Sequence, residues 1–407
     1  MRIVIVYDCE FPWDIRVEKL ARTFTRGGNS VRIVARNLHR QPKEDSYNGI
    51  ELRRVVSSAS RLLNGMLNIT LFFNPVWLFT IWKNARGYDL IIVRDLPLAV
   101  AGITVGRFLR IPVIIDMAEP YPLTLKQRRM HEPFRLHHLL IRNIPFALAL
   151  EWASIRLADR IIVVCQEAAD RLIYRGASED RVVIVHNTPV LEELSFDQGK
   201  SPQLMESLRG RFVVLYVGFL IGGRGLEVAI EAVKSAVKKV PHLALVIAGS
   251  GKSEQALRRL VSQAGLENHV LFAGWLDHTR LPRYIASCDI GILPFHATDH
   301  INHTIANKFF DFFSLNKSII CSDAKPMRRL IEQIGDGYLF RAGDSDDLAR
   351  LIVSVITEHR PTDAPAGKRA IQQYFNWSVD SSRLIDEIQR MMNQARRGQK
   401  STMAESV

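Results

Sequence analysis

Much of what places this chain is what it lacks. Its four cysteines, Cys9, Cys165, Cys288 and Cys321, never fall as C-x-x-C, which argues against a zinc ribbon and for reduced thiols in a cytoplasm. No Pro- or Ser-rich low-complexity tract interrupts a composition that is 47% hydrophobic and 24% charged. A sizeable core is therefore available, and 407 residues are too many for one ordinary core, so two domains are expected. No apolar run is long enough for a confident membrane span. The most apolar, LNITLFFNPVWLFTIW (67–82), is short and broken by Asn68, Thr70, Asn74 and Pro75. It reads as a core helix, with an in-plane, membrane-touching helix as the alternative. The opening MRIVIVYD is a strand running into a polar loop, without the basic start, apolar stretch and small-residue site of a signal peptide. Helix-turn-helix, RNA-recognition and zinc-finger signatures are also missing, so nucleic acid is not an expected partner. Yet the net charge is +12, and both halves share it, with 28 Lys+Arg against 21 Asp+Glu up to residue 200 and 26 against 21 beyond. An acidic partner of another kind is implied, a phosphorylated small molecule or anionic lipid.

What is present is alternation. In the first half the runs RIVIVY (2–7), VRIVA (31–35), LIIV (90–93), VIID (113–116), RIIVV (160–164) and VVIV (182–185) are separated by helical patterns. Continuous Val/Ile runs of this kind belong to a parallel sheet covered on both faces. The first helix, about 15–27, carries Val17, Leu20, Ala21 and Phe24 on one stripe and ends at Gly27-Gly28. Gly, Ser, Pro and charge break the rhythm at 192–210, which is the expected linker. The alternation then restarts with FVVLYV (212–217), LALVIAG (243–249), VLFAG (270–274), IGILPF (290–295), SIICS (318–322) and GYLF (337–340). The predicted fold is α/β, with two doubly wound Rossmann-like domains, 1–191 and 211–374, facing a central cleft. A helix at 375–394 follows, and 395–407 is read as a disordered tail.

Two glycine-rich turns follow strands in the second half. In GFLIGGRGLEV (218–228), Gly218, Gly223 and Arg224 fall where a P-loop needs them, but Arg224 replaces the lysine and Gly225 the magnesium-binding hydroxyl. GSGKS (249–253) fails at its other end, with Val246 in place of the opening glycine. Both turns still set flexible backbone amides, at Gly218, Gly223, Gly249 and Gly251, before a helix, which suits an anion. Ordinary strand-to-helix turns that use glycine for φ > 0 are the competing reading.

The segment order VLYVGFLIGGRGLEVAIEAV, LALVIAGSG, VLFAGWLDHTRLPRYIASCDIGILPF and NKFFDFFSLNKSIICSD resembles the donor domain of retaining GT-B glycosyltransferases of family four. In the first half FPWDIRVEKLARTFTRGGNSVRIVAR, VRDLP, IIDMAEPYP, ADRIIVVC and VVIVHNTP match in the same way. FNWSVDSSRLIDEIQRM is similar to the terminal helix that crosses back onto the N-terminal domain in that fold. The resemblance implies that the basic residues of the glycine-rich turn hold the diphosphate of a nucleotide-sugar. Arg224 matches the second of them and Phe219 stands at the first, so Lys308 is the expected replacement. Charge developing on a departing nucleoside diphosphate would be met by these cations and by the start of the next helix, at Thr304, Ile305, Ala306 and Asn307. Asp311 takes the place of the acid that holds the ribose, one methylene shorter than the usual glutamate. His303 replaces a second acid eight residues upstream and is expected at the donor sugar. Backbone at Gly274-Trp275 is expected beside the base.

On the acceptor side, Asp95, Asp116 and Glu119 lie at or just beyond strand ends, and IIDMAEPYP resembles the family's D-x-H-E-x-x-P with Ala118 in place of histidine. Glu119 is the expected acceptor-side carboxylate, with Asp116 beside it. Asp14 and Arg16 match the family's D-x-R-V. Structural readings compete: Asp14 could cap its helix, Asp116 the following segment, and Asp95 could pair with Arg94 or Arg107. His296, Asp299, His300 and His303 space like metal ligands, but in a loop that spacing guarantees nothing, and no metal or other cofactor is expected.

The implied activity is metal-independent transfer of a sugar, with retention, from a UDP-, GDP- or ADP-sugar to an acceptor hydroxyl. The basic balance, the 67–82 segment and FRLHHLLIRNIPFALAL (134–150) suit a lipid-linked saccharide and an anionic membrane surface, touched peripherally from the cytoplasm. A sugar-nucleotide epimerase and a nucleotide-sugar-binding regulatory module are the rivals.

Overall fold

Runs of Val and Ile have one low-energy home in a chain like this, a parallel strand buried on both faces. The computed structural model describes residues 1–404 except 13, 71–73, 132–142, 196–198, 202–205 and 278. It divides into two compact units, Met1–Val185 with Ser381–Val407, and His186–Asp380.

The first unit is built on β1 (Arg2–Tyr7), β2 (Ser30–Ala35), β3 (Glu44–Tyr47), β4 (Ile50–Arg54), β5 (Leu90–Arg94), β6 (Val113–Asp116), β7 (Arg160–Val163) and β8 (Val182–Ile184). They form one sheet in the order β3-β4-β2-β1-β5-β6-β7-β8. All neighbours are parallel except β3 and β4. Ile5 of β1 lies opposite Ile33 of β2 and Ile92 of β5, and all three are fully buried. The β3–β4 hairpin was not read from the sequence. Asn48 and Gly49 both take positive φ at its turn, 49° and 79°, and this Asn-Gly pair is the signal that could have announced it.

The expected helical stripe is present in Ile15–Arg26, which buries Val17, Leu20, Ala21 and Phe24. Within 67–82, Leu67 closes the helix Arg61–Leu67 and Pro75 opens the helix Pro75–Ala85, which turns the fully buried Trp77 and Ile81 to the core and leaves Phe79 60% exposed; 71–73 lie outside the described residues. Among the described residues no helix is long and apolar enough to cross a membrane. Residues 134–142 of the basic-apolar run lie outside the described residues; the rest of it opens the helix Ile144–Leu157.

The second unit holds β9 (Phe212–Val217), β10 (Leu243–Ala248), β11 (Val270–Gly274), β12 (Ile290–Leu293), β13 (Ile319–Ser322) and β14 (Tyr338–Phe340), all parallel, in the order β11-β10-β9-β12-β13-β14. The helix Asn307–Ser314 buries Phe309, Phe310, Phe312 and Phe313 completely. Two glycines admit those rings, since a Cβ at Gly291 would stand 2.7 Å from Phe312 and one at Gly367 2.3 Å from Phe313.

The units part between Val185 and His186, earlier than the boundary at 191 read from the sequence. At that boundary the buried Asp380 carboxylate, in the second unit, accepts from Thr188 Oγ1 at 2.6 Å and sits 3.2 Å from His186 Nδ1. The last helix runs Trp377–Ala404, so residues 395–404, read as a disordered tail, continue it; 405–407 lie outside the described residues. From Ser381 onward it belongs to the first unit, where Glu387 accepts from Arg160 Nε at 2.5 Å.

Candidate functional site

In each doubly wound sheet the strand order reverses once, and loops leaving the strands on either side of that point diverge to leave a binding crevice. In the first unit the reversal lies between β1 and β5. Around those strand ends the structure gathers Asp14, Arg16, Asp95 and Asp116, together with Arg94, named from the sequence as a partner for Asp95, and Asp8, which the sequence reading did not single out. Arg16 Nε donates to Asp116 at 2.8 and 3.1 Å and Nη2 at 2.8 Å, and neither side chain has any exposure. Burial works to raise the Asp116 carboxyl, but Arg16 and then Arg94 overcome it and hold it below the usual range. Both its oxygens are taken by Arg16 inside the protein, a geometry that suits a scaffold role rather than the catalytic one expected from the sequence.

Arg94 reaches three carboxylates. It donates to Asp95 at 2.6 Å, contacts Asp14 at 3.1 Å and lies 3.8 Å from Asp116. Asp14 also caps its helix, accepting from the Arg16 amide at 2.7 Å, so the structural readings hold for Asp14 and for the Asp95–Arg94 pair. Asp95 sits in the left-handed region at φ 63°, its amide donating to the Asp116 carbonyl at 3.0 Å. That conformation is uncommon outside glycine, though Asp tolerates it better than most. Burial pushes the Asp95 carboxyl well up, against the pull of Arg94, and Asp8 is raised by burial in the same way. Glu119, three residues beyond β6, is exposed.

In the second unit the reversal lies between β9 and β12, and the loops after these strands carry the donor-side residues. The two glycine turns prove to be halves of one structure. Gly218 N donates to Ala248 O at 3.0 Å, Leu220 N to Ser250 O at 2.9 Å, and Ser253 N returns to Leu220 O at 2.9 Å. The backbones approach so closely that a Cβ at Gly249 would lie 1.8 Å from Gly218 O, and one at Gly251 2.3 Å from Leu220 O. Gly225, at φ 66°, opens the helix Leu226–Ala236, and its Cβ would lie 1.8 Å from Pro294 O, in the loop after β12. Arg224 stacks on Phe295 of that same loop, 4.8 Å from the ring centroid. His296 N donates to Gly223 O at 3.2 Å, and His296 Nε2 lies 2.5 Å from Glu227.

That loop ends in the helix Asn307–Ser314, so the expectation of a helix from Thr304 is corrected. Residues 301–303 form one turn of 3₁₀-helix, and Thr304 and Ala306 are extended, leaving Ile305 in the same connecting stretch. Lys308 Nζ donates to Asp311 at 2.8 Å, one turn along the helix, so the expected phosphate cation and ribose acid hold each other. His303 Nδ1 lies 2.6 Å from Asp299 O. Trp275, just past β11, is exposed and 5.4 Å from the Phe219 ring. The sequence reading missed Phe295 and Glu227, which fix Arg224 and His296; no spacing rule links them.

Two family descriptions match along the chain, "Glycosyl transferase 4-like domain" over residues 14–188 and "Glycosyl transferases group 1" over residues 202–373. This chain belongs to the group 1 glycosyl transferases. Among curated relatives of the family, an alpha-D-kanosaminyltransferase of Streptomyces kanamyceticus is 23% identical over 218 residues, 51% of this chain and 55% of that protein. A phosphatidyl-myo-inositol mannosyltransferase of Mycobacterium leprae is 28% identical over 189 residues, 46% and 48% respectively. The chain thus spans about half the length of these curated relatives. The crystal structure of Anabaena Alr3699/HepE in complex with UDP superposes with a TM-score of 0.71 at 18% identity, covering 96% of this chain and all of that one. The fold is GT-B, with two Rossmann-like units.

Proposed function

We propose that this chain moves a sugar from a nucleoside-diphosphate sugar to a hydroxyl of a lipid-linked saccharide or glycolipid, with retention, working peripherally at the inner face of a membrane. The observation that carries this reading is the cradle at the second sheet's reversal point, where glycines with no room for a Cβ hold the backbone beside Arg224. A guanidinium braced on Phe295 is set in place before a ligand arrives, so little reorganisation is needed as charge develops on the leaving diphosphate. Protein cations rather than a metal meet that charge: Arg224 directly, and Lys308 once a phosphate draws it from Asp311. Asp311 then takes the ribose hydroxyls. Retention follows the family resemblance, with attack on the face the diphosphate leaves and the phosphate oxygen taking the acceptor proton. On the acceptor side Glu119 orients the incoming hydroxyl, and Arg94 and Asp95 shape the edge it approaches.

The UDP held by the Anabaena protein and the phosphatidyl-myo-inositol in the name of the Mycobacterium leprae relative support the two substrate classes. Titration calorimetry with UDP, GDP and ADP, then incubation of the matching sugars with and without membrane extract, tests the reading. One diphosphate should bind, and its release should need the extract. Arg224→Ala should weaken binding at least about tenfold, as expected for loss of one hydrogen bond to a charged group. Failure of all three to bind, undiminished transfer by Arg224→Ala, or a new sugar nucleotide formed without acceptor would each overturn it.

A further inference from the structure

The short helix Arg61–Leu67 is built inside out. Its buried side chain is an amide, Asn64, while Leu62 is 76% exposed, Met66 62% and Leu63 47%. The amide is there to tie down irregular backbone. Asn64 Nδ2 donates to Leu38 O at 2.9 Å and its Oδ1 accepts from Ser58 N at 3.1 Å. Asn68 Oδ1 accepts from Asn37 N at 2.7 Å, and Asn74 Nδ2 donates to Ile69 O at 2.9 Å. All four asparagines are buried, so the arrangement is a satisfied polar core rather than loose packing. Leu38, tied beside the helix through its carbonyl, is itself 42% exposed.

A lone exposed leucine means little, but four apolar side chains turned outward from an amide-lined interior mark a face meant for something other than water. Charge says what that is. The two segments that make the face, 36–43 and 55–70, hold Arg36, Arg40, Lys43, Arg61 and His39 and no acid. Of the nearby acids, Glu44 is engaged with Arg53 and Asp45 with Arg54, while Glu10 pairs with His39 and Asp8 lies against Arg36, which leaves the exposed Arg40, Lys43 and Arg61 as the basic surround. Arg40 also clamps the approach to the helix, donating to Ala59 O at 2.5 Å. Apolar centre and basic surround together complement an anionic lipid surface. Both segments leave the carboxyl ends of β2 and β4, the edge of the sheet that also carries Asp95 and Asp116.

We propose that Leu38, Leu62, Leu63 and Met66 insert into the headgroup region of an anionic bilayer, with the exposed Arg40, Lys43 and Arg61 on lipid phosphates. This deepens the membrane side of the proposed function, placing the contact on the helix Arg61–Leu67 rather than on Pro75–Ala85, whose Trp77 and Ile81 are buried. It predicts that the whole chain sediments with vesicles of phosphatidylcholine containing about one-third phosphatidylglycerol, and much less with phosphatidylcholine alone. Leu62→Ser/Leu63→Ser/Met66→Ser should raise the lipid concentration for half binding at least about tenfold, and Leu62→Ser alone about threefold. Unchanged melting by circular dichroism should confirm that these exposed substitutions leave the fold intact, and if the triple variant melts early the single one decides. No binding by the wild type, equal binding to neutral vesicles, or unaltered binding by the serine variants would overturn the proposal. So would light scattering that shows a wild-type dimer and a monomeric variant, since the face would then belong to a second copy. Nucleotide affinity, read by calorimetry on the same samples, reports on the transfer reading, and the two can fail separately.

Discussion

Asp116→Asn separates scaffold from chemistry on the acceptor side. The substitution keeps the shape of the side chain but removes its charge, and turns one acceptor of the Arg16 fork into an NH2 group facing a guanidinium. Three hydrogen bonds of 2.8 to 3.1 Å join the pair, and neither side chain is exposed, so no water can replace what is lost. Breaking a buried ion pair from one side costs about 3–5 kcal/mol, a large share of the ~5–15 kcal/mol that holds a typical protein folded. With a urea slope of about 2 kcal/mol per molar, the midpoint of the first unit should fall by about 2 M. Tryptophan fluorescence reports on that unit through Trp13, Trp77, Trp82 and Trp152, four of the six tryptophans, with Trp275 and Trp377 in the other unit. The sign with pH is fixed by the lowered carboxyl: its contribution is complete above the unfolded value of about 3.9 and fades as pH falls through the lower folded one. Wild type and variant should therefore differ by a constant amount from pH 5 to 7, in order-of-magnitude terms, and converge in stronger acid. Arg16→Met/Asp116→Leu, which removes both charges, should recover most of the loss. A variant within about 1 kcal/mol of wild type, but inactive in transfer, would refute the scaffold assignment and restore Asp116 to the chemistry.

Two further changes probe other parts of the molecule. Gly225→Ala sets a Cβ 1.8 Å from Pro294 O at φ 66°, so beyond the ~1–2 kcal/mol of a left-handed alanine the loop itself must move; calorimetry should show nucleotide affinity lost in folded protein, and retained affinity would mean the close approach is dispensable. Asp95→Asn mimics the protonated acid in a conformation that Asn also tolerates; because burial raises the folded carboxyl above its unfolded value, wild type loses stability as pH rises from about 4 through the folded value, and the variant should gain relative stability over that span in thermal melts.

The frame of the fold was legible because it rests on a local signal. Val/Ile runs between helical patterns announce buried parallel strands whatever their partners, and each run read in this way appears as a strand within a residue or two. The β3–β4 hairpin was missed because EDSY and IELRR are too polar to look like core, and only Asn48-Gly49 marks the turn. Site residues on either side of one loop were visible as glycines and charges, but their partners were not. Arg94 was readable as a partner for its neighbour Asp95 but not for Asp14 and Asp116, and Phe295 looked like core until Arg224 lay across its face. Such pairings join residues tens of positions apart and obey no period. The outward face of Arg61–Leu67 was hidden for a different reason, since apolar residues in a sequence are read as interior, and only buried asparagines reveal the inversion.

The Lys308–Asp311 pair makes the two donor-side roles inseparable. Side by side and 2.8 Å apart, they neutralise one another, so in this state Arg224 is a cation that the cradle offers a phosphate; among the described residues it forms no salt bridge. If a diphosphate draws the ammonium away, a mostly buried carboxylate loses its partner, and that loss is costly unless donors replace it. Ribose hydroxyls are such donors. A nucleoside diphosphate can therefore satisfy both halves of the pair at once, whereas inorganic pyrophosphate can satisfy only one. Removing either residue alone strands the other, so the losses in nucleotide affinity for Lys308→Ala and Asp311→Ala must overlap rather than add, and the double variant should bind little worse than the weaker single one. Additive losses would mean that the two groups meet the ligand independently, and that the ion pair is only a helix-surface contact between neighbours one turn apart.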